Sequence, residues 1–465
     1  MNTANFESIH IMIDAQVWRN LPLHLRLYHA FRQLVISGAL VDGAKLPSAR
    51  ALAQQLRLSR DTVENAYSQL QRDGFMTRRQ GAGSFASRQG IPHIQGQHSL
   101  PPSPRQTPTL SARWQTIADR AVSFDARRVQ TFTLGLAETR NFPQTIWQNF
   151  ARQIQRERAH TLMLHGDPQG EPELRQQIAH YLNFERGAKV DAQQIVIVSG
   201  ARQAFSAAQL NLLPIEVDRD GIRVDKLPPA PLVYVTPSHQ FPSGHLLSLA
   251  RRHALIDWAR THNAWIIEDD YDSEFHYNGA PVACMQGLDR EQRTLYVGTF
   301  SKTLYPGLRI GYLVVPASLA AHFAAARNLL DGATPALTQL TLARFIASGH
   351  FAAHIRTMRS MYAVRQACLA QAINQHLSDW VTPVVTPGGL QMPCWLHEGI
   401  DEQQTLNAAR RAGLNIAGMR QFWLTHPAPT GWLLGFAAFT PYEIENGVKL
   451  LRAALCAENA RQAGS

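Results

Sequence analysis

The sequence predicts an N-terminal winged helix-turn-helix joined to a larger α/β domain with a mostly parallel sheet and a small C-terminal α+β part. Three observations carry that prediction. Residues 22–86 hold three short helical patterns, then a strand, a tight turn and a strand. Residues 194–316 alternate short apolar runs with helical patterns, as a sheet covered by helices requires. Between them, from Ser87 to about Arg120, Gln, Pro, Ser, His and Gly replace large apolar residues, as in an extended linker. The 465 residues suffice for two to three domains, and 45% apolar with 17% charged residues is ordinary for a globular chain.

In the first part, residues 22–38 place apolar side chains at helical spacing and end on Gly38. Ser48 is placed to cap a second helix over Ala49–Leu56, and Ser59 a third that stops at Asp73-Gly74. Phe75 to Arg79, a turn through Gly81-Ala-Gly83, and Ser84-Phe-Ala86 then form the wing. The net charge of +10 is concentrated here. Between Lys45 and Arg88, eight basic residues oppose Asp61, Glu64 and Asp73, an excess of five in about a tenth of the chain, which points to a polyanionic partner. Asp61 and Glu64 run against that trend, since an acid on a recognition helix accepts from cytosine or repels phosphate.

In the second part, Gln194–Gly200 reads as a buried strand running into a helix from Ala201. Free N–H groups at such a junction, Ser199-Gly200-Ala201, suit a phosphate. Leu232–Pro237 and Ala264–Glu268 are further buried strands, separated by a helix over Leu247–Thr261. Five acids occupy the seven positions after the second of these, Glu268-Asp-Asp-Tyr-Asp-Ser-Glu274. Gly298-Thr-Phe-Ser-Lys-Thr-Leu-Tyr-Pro-Gly-Leu-Arg-Ile-Gly-Tyr312 is a loop between two apolar runs and carries Thr299, Ser301, Lys302 and Arg309. Alone, that loop is either a phosphate cradle whose lysine forms a Schiff base with an aldehyde cofactor, or a solvated basic loop. The acidic run is either a metal site, a helix cap, or the source of the carboxylate and phenol that pyridoxal phosphate needs at its ring nitrogen and 3′ oxygen. Taken together, Asp269, Tyr271 and Lys302 favour the cofactor.

Two sets of motifs resemble known families. Leu46-Pro-Ser-Ala-Arg50, Leu58-Ser-Arg60, Thr62-Val63, Ala66-Tyr67 and Gly81-Ala-Gly83 resemble the GntR-type DNA-binding domain. That resemblance implies a third helix in the major groove, Ser48, Arg50, Ser59, Arg60 and Thr62 facing DNA, and Gly81 in the wing. Thr236-Pro-Ser-His-Gln-Phe-Pro-Ser-Gly244, the acidic run and the Lys302 loop resemble MocR/GabR-type regulators, which fuse such a domain to a fold-type-I aminotransferase-like domain. The implied divisions are 15–87 for the winged helix, 88–128 for the linker, 129–335 for the large part and 336–458 for the small part. The implied cofactor is pyridoxal 5′-phosphate, with Lys302 as its Schiff-base lysine. Its binding set is Asp269, Tyr271, Ser199, Gly200, Ala201, His239, Gln240, Thr299, Ser301 and Arg309.

The resemblance further implies a homodimer that binds double-stranded operator DNA and answers to a vitamin B6 compound or a small amino compound. An aminotransferase that keeps a DNA-binding appendage is the alternative, and enzymatic turnover is the less favoured reading. No run of eighteen apolar residues exists, the start lacks a secretory pattern, and four cysteines lack metal-ligand spacing, so a cytoplasmic protein without a metal site is expected.

The chain departs from the family twice. Roughly thirty residues, about one α/β unit, are missing near 211–213. The absent piece normally supplies the aromatic that stacks on the cofactor, so a vacant or refilled sheet position and weakened cofactor binding are expected. Leu433 also stands where aminotransferases carry an arginine for the substrate carboxylate, and an apolar residue cannot make that contact.

Overall fold

The computed structural model describes residues 9, 12, 13, 16–89, 111, 115, 129–200, 212–277, 282–425 and 427–463. Most of the expected linker, the helix expected from Ala201, Ala201 itself and Asn211 lie outside these residues. The chain divides into two compact units, Met1–Ser123 and Phe124–Ser465.

The first unit packs α1 (Leu23–Ile36), α2 (Ala49–Leu56) and α3 (Arg60–Arg72) against a three-stranded sheet. Leu27, Phe31, Leu34 and Val35 on α1 meet Val63, Ala66, Tyr67 and Leu70 on α3, all buried. The Phe31 and Tyr67 rings meet edge to face at 5.7 Å. Both helix starts are capped as expected: Ser48 accepts from the Ala51 N–H at 3.2 Å and Ser59 from the Thr62 N–H at 3.1 Å. Such caps are worth about 1 kcal/mol each. The wing strands β2 (Met76–Arg79) and β3 (Gly83–Ala86) are joined by a third, β1 (Lys45–Leu46), which the sequence does not reveal. Two residues carry no periodicity; β1 exists because Lys45 and Leu46 pair with Phe85 and Ser84.

The second unit opens with α4 (Gln144–Glu157) and α5 (Pro172–Glu185), followed by β4 (Ile195–Val198) and the short hairpin β5 (Val217–Asp218) and β6 (Gly221–Ile222). Then come β7 (Leu232–Val235), α6 (Leu249–Thr261), β8 (Trp265–Asp270), α7 (Met285–Leu288), β9 (Thr294–Thr299), β10 (Gly311–Val314) and α8 (Ala317–Asp331). The main sheet has the order β4-β10-β9-β8-β7. β7, β8 and β9 are parallel; β10 runs antiparallel to both β9 and β4. The carboxyl ends of β4, β7, β8 and β9 therefore all point the same way, and ligand sites of open α/β sheets gather there. Among the described residues, β7 is the last strand on that side of the sheet.

One expected boundary is corrected. The second apolar strand was expected to end at Glu268 with the acids beyond it, yet β8 continues to Asp270. Its register pairs Asp269 with Val297 and Asp270 with Gly298, so two of the acids are strand residues with alternating faces.

The small part comprises α9 (Ala336–Ala347), α10 (His350–His376), β11 (Val381–Pro383), β12 (Gln391–Leu396), α11 (Glu402–Arg411), β13 (Ala417–Gly418), β14 (Gly431–Gly435) and α12 (Pro441–Ala463). Its antiparallel sheet has the order β11-β12-β14-β13. Leu433 sits fully buried in β14, opposite Pro393 and Ala417, as a plain core strand would place it. Among the described residues, no helix is long and apolar enough to cross a membrane.

Candidate functional site

The Lys302 loop is the mouth of a hairpin. Thr299 pairs with Gly311, and the Phe300 N–H extends the ladder by donating to the Ile310 carbonyl at 3.0 Å. Lys302 follows one arm and Arg309 precedes the other. The Lys302 Nζ donates to the Gly135 carbonyl at 2.7 Å. Gly135 has φ +66°, a conformation that favours glycine, and a Cβ there would force the lysine nitrogen to move. Arg309, at φ +53°, reaches the Ser199-Gly200 junction: a Cβ on Gly200 would stand 3.3 Å from its guanidinium. The Thr299 Oγ1 accepts from the Ser301 N–H at 3.2 Å, and the Ser199 hydroxyl donates to Asp331 at 3.0 Å.

The five acids divide by their partners. Glu268 accepts the Met285 and Gln286 N–H groups at 2.8 and 2.9 Å, capping α7. Asp270 is buried against Arg186 at 2.9 Å and also accepts from Ser238, Ser273 and Tyr296. Asp272 holds His239 Nδ1 at 2.8 Å, and Glu274 accepts from Tyr181 at 2.9 Å. Asp269, on the opposite face of β8, accepts the Tyr234 phenol on Oδ2 at 2.5 Å. Its buried Oδ1 has no hydrogen-bond partner among the described residues. No group of three His, Cys, Asp or Glu side chains that could hold a metal occurs among the described residues.

Burial acts on all these carboxyls, and their partners decide the outcome. Asp270 is held below its ordinary value because Arg186 and three hydroxyls outweigh the burial that opposes its charge. Glu268 is pushed up to about 7 by burial and by Asp270. Asp269 is pushed up to about 6 by burial, with Tyr234 and Lys302 acting against Asp270 and Asp272. Its folded-state value exceeds the unfolded one, so the native state binds the extra proton and stability falls as pH rises from about 4 to about 6. We expect Asp269→Asn to raise ligand-free stability above pH 6 by roughly 1–2 kcal/mol. Thermal melts at pH 5 and pH 7.5 check this: the gain is present at pH 7.5 and shrinks at pH 5.

The loop after β7 brings His239 and Gln240 to the same sheet end. His239 is buried; burial opposes its charge, but Asp272 outweighs that and lifts the imidazole above its ordinary value. The His239 carbonyl accepts the Tyr271 phenol at 3.2 Å. Gln240 turns into its own loop, donating to the Phe241 carbonyl and accepting from Ser243. Gln391 of β12 donates to the Tyr271 oxygen at 3.3 Å. The structure thus gathers Lys302, Asp269, Tyr271, His239, Ser199, Gly200, Thr299, Ser301 and Arg309 at one end of the sheet, with Gln240 committed to loop shape. Tyr234, Gly135 and Gln391 were not singled out in the sequence; the glycine and the edge-strand tyrosine carry no motif that would have marked them.

On the first unit, Ser48, Arg50, Ser59 and Arg60 are exposed at the starts of α2 and α3, with Thr62 half-buried beside them. The Ser59 and Thr62 hydroxyls lie 2.7 Å apart. A hydroxyl that accepts a capping bond keeps an O–H to donate, so capping and phosphate contact are compatible in Ser48 and Ser59. Gly81, at φ +74°, forms the exposed wing tip. The acid that seemed out of place on α3 has a partner: Glu64 pairs with Arg78 of the wing at 2.8 Å. Its charge is matched within the domain, and Arg79 lies over the Phe85 ring at 4.9 Å.

Comparison with known proteins follows the same division. Residues 23–85 match the family model for bacterial regulatory proteins of the gntR family, and residues 222–392 that for aminotransferase class I and II. The probable rhizopine catabolism regulatory protein MocR of Rhizobium meliloti is 31% identical, over 94% of this chain and 94% of its own. The pyridoxine biosynthesis transcriptional regulator PdxR of Corynebacterium glutamicum is 29% identical, over 89% of this chain and 91% of its own. Among solved structures, Pyrococcus horikoshii kynurenine aminotransferase, crystallised with PMP, shares the fold of 75% of this chain and 95% of its own, with a TM-score of 0.66 at 23% identity. With a GntR-type winged helix and an aminotransferase-like domain in one chain, and relatives of this likeness over nearly its whole length, the protein belongs to the MocR/GabR-type family of transcriptional regulators.

Proposed function

We propose that this regulator holds pyridoxal 5′-phosphate in its aminotransferase-like domain. The cofactor, alone or with an amino compound, then changes the grip of a homodimer on double-stranded operator DNA in the cytoplasm. One observation carries the reading: at one end of the sheet stand an amine, a carboxylate with an open buried oxygen, and an arginine beside a glycine junction. Those are the groups that an aldehyde, a pyridinium N–H and a phosphate would each use. Bound there, the cofactor supplies an aldehyde that condenses with amines and a ring that withdraws electrons.

The protein's own residues divide the work. Lys302 is oriented by the Gly135 carbonyl. Asp269 Oδ1 would hold a proton at the ring nitrogen, Tyr271 would meet the 3′ oxygen, and Arg309 with Ser199, Gly200, Thr299 and Ser301 would neutralise the phosphate. Ala201 completes the phosphate set in this proposal, and His239 lines the ring side. The domain limits that go with it are 15–87, 88–128, 129–335 and 336–458. Buried Leu433 offers no partner for a substrate carboxylate, which favours sensing over transamination.

Titration of the purified protein with pyridoxal phosphate, followed by visible absorbance, tests the reading. A new band that saturates, with operator affinity altered in the same samples, is the expected result. Absence of the band refutes cofactor binding, and turnover of an amino donor favours the enzyme.

A further inference from the structure

Strand β7 carries a tyrosine whose hydroxyl reaches the acidic end of β8. Along Leu232-Val-Tyr-Val235, Val233 and Val235 are buried, while Tyr234 points to the other face and is 51% exposed. Its phenol is nevertheless committed, to Asp269 Oδ2 at 2.5 Å. The register makes this possible: Tyr234 stands opposite Ile267, two residues before Asp269 and on the same face, and a diagonal cross-strand neighbour is within reach of an aromatic side chain.

The two oxygens of Asp269 are therefore not equivalent. Oδ2 is taken by the phenol, and Oδ1 is buried without a partner among the described residues. We propose that Tyr234 is a positioning residue for the cofactor site, fixing the Asp269 carboxylate from the sheet edge so that Oδ1 is left facing a cationic ring N–H. This inference rests on the reading that the pocket holds pyridoxal phosphate. It adds a function for a residue outside every motif that led to that reading.

The phenol has a second effect. A hydrogen bond donated to a carboxylate favours its ionised form. Asp269 is otherwise pressed toward neutrality by burial and by the neighbouring charges of Asp270 and Asp272, with Lys302 on its favourable side and the Tyr271 phenol adjacent. Without the Tyr234 hydroxyl the carboxyl holds its proton to higher pH, and a neutral acid no longer supports a protonated ring.

Tyr234→Phe keeps the ring and removes only the hydroxyl. Pyridoxal phosphate affinity is measured by absorbance titration of wild type and variant at pH 6.5 and 8.5, and compared as a ratio at each pH. The expected loss is about tenfold at pH 6.5, shrinking to about twofold at pH 8.5, where the carboxyl ionises in both proteins. In parallel, carbon-13 carboxyl titration of the ligand-free proteins, assigned with Asp269→Asn, reads the Asp269 midpoint, which rises in the variant. An equal loss at both pH values, or an unmoved midpoint, overturns the proposal and leaves Tyr234 a structural residue. If wild type binds no cofactor at either pH, the cofactor reading falls and takes the site role with it. The carbon-13 midpoint then still decides whether Tyr234 governs the carboxylate.

Discussion

Replacing Lys302 with alanine is expected to remove the cofactor's absorbance band and to weaken pyridoxal phosphate binding by about a hundredfold or more, since the covalent contribution is lost outright. The fold should survive. Lys302 is only half-buried, it donates to the Gly135 carbonyl, and the hairpin that holds it is closed by backbone pairing of β9 with β10. Operator affinity of the cofactor-free protein should stay within about twofold of wild type, because a linkage effect needs the ligand present. Absorbance titration and fluorescence anisotropy on labelled operator measure the two quantities separately. If the variant's DNA binding answers to pyridoxal phosphate as wild type does, the sensing role of the lysine is refuted.

The second large effect is at Arg60. It is exposed at the first position of α3, and Ser59 caps that helix whatever residue follows, so alanine preserves the helix. We expect Arg60→Ala to cost about 1–3 kcal/mol per site contacted, enough to weaken operator binding about ten- to a hundredfold. The manner of the loss locates the contact. A uniform drop across sequences, with a shallower dependence on salt, assigns the guanidinium to phosphate; relaxed discrimination at one base pair assigns it to a base edge. Unaltered affinity would remove Arg60 from the interface. Arg78 is a poorer target for the same test, since its guanidinium is already engaged by Glu64.

The parts of this protein that were legible in its sequence are those built from local signals. Ser48 and Ser59 cap the helices that their spacing implied, and Gly81 turns the wing. The buried strands around the Lys302 loop fall where apolar runs lie. What escaped was set by partners distant in the chain. β1 exists through Phe85 and Ser84, about forty residues on. β8 runs past Glu268 because burying Asp270 is made tolerable by Arg186, eighty-four positions earlier. Tyr234 reads as one more apolar residue in a strand until the register places Asp269 on its diagonal. Gln240 belongs to the recognisable motif, and its side chain holds the loop that carries His239 rather than opening onto the sheet end.

The alternation along β8 has a genetic consequence. Glu268 and Asp270 point to one side, where they cap α7 and neutralise Arg186; Asp269 points to the other, where one of its oxygens is open. Neighbouring codons therefore answer to different selections. Changes at 268 or 270 strand buried groups without partners and lower the amount of folded protein, so such alleles would behave as nulls in every assay. If the proposed cofactor site is right, changes at 269 would instead leave an abundant protein that still binds DNA and fails to respond to the cofactor. In a screen for constitutive alleles, isolates should skip alternate positions along this strand, with the spacing of the pleat written into the mutation spectrum.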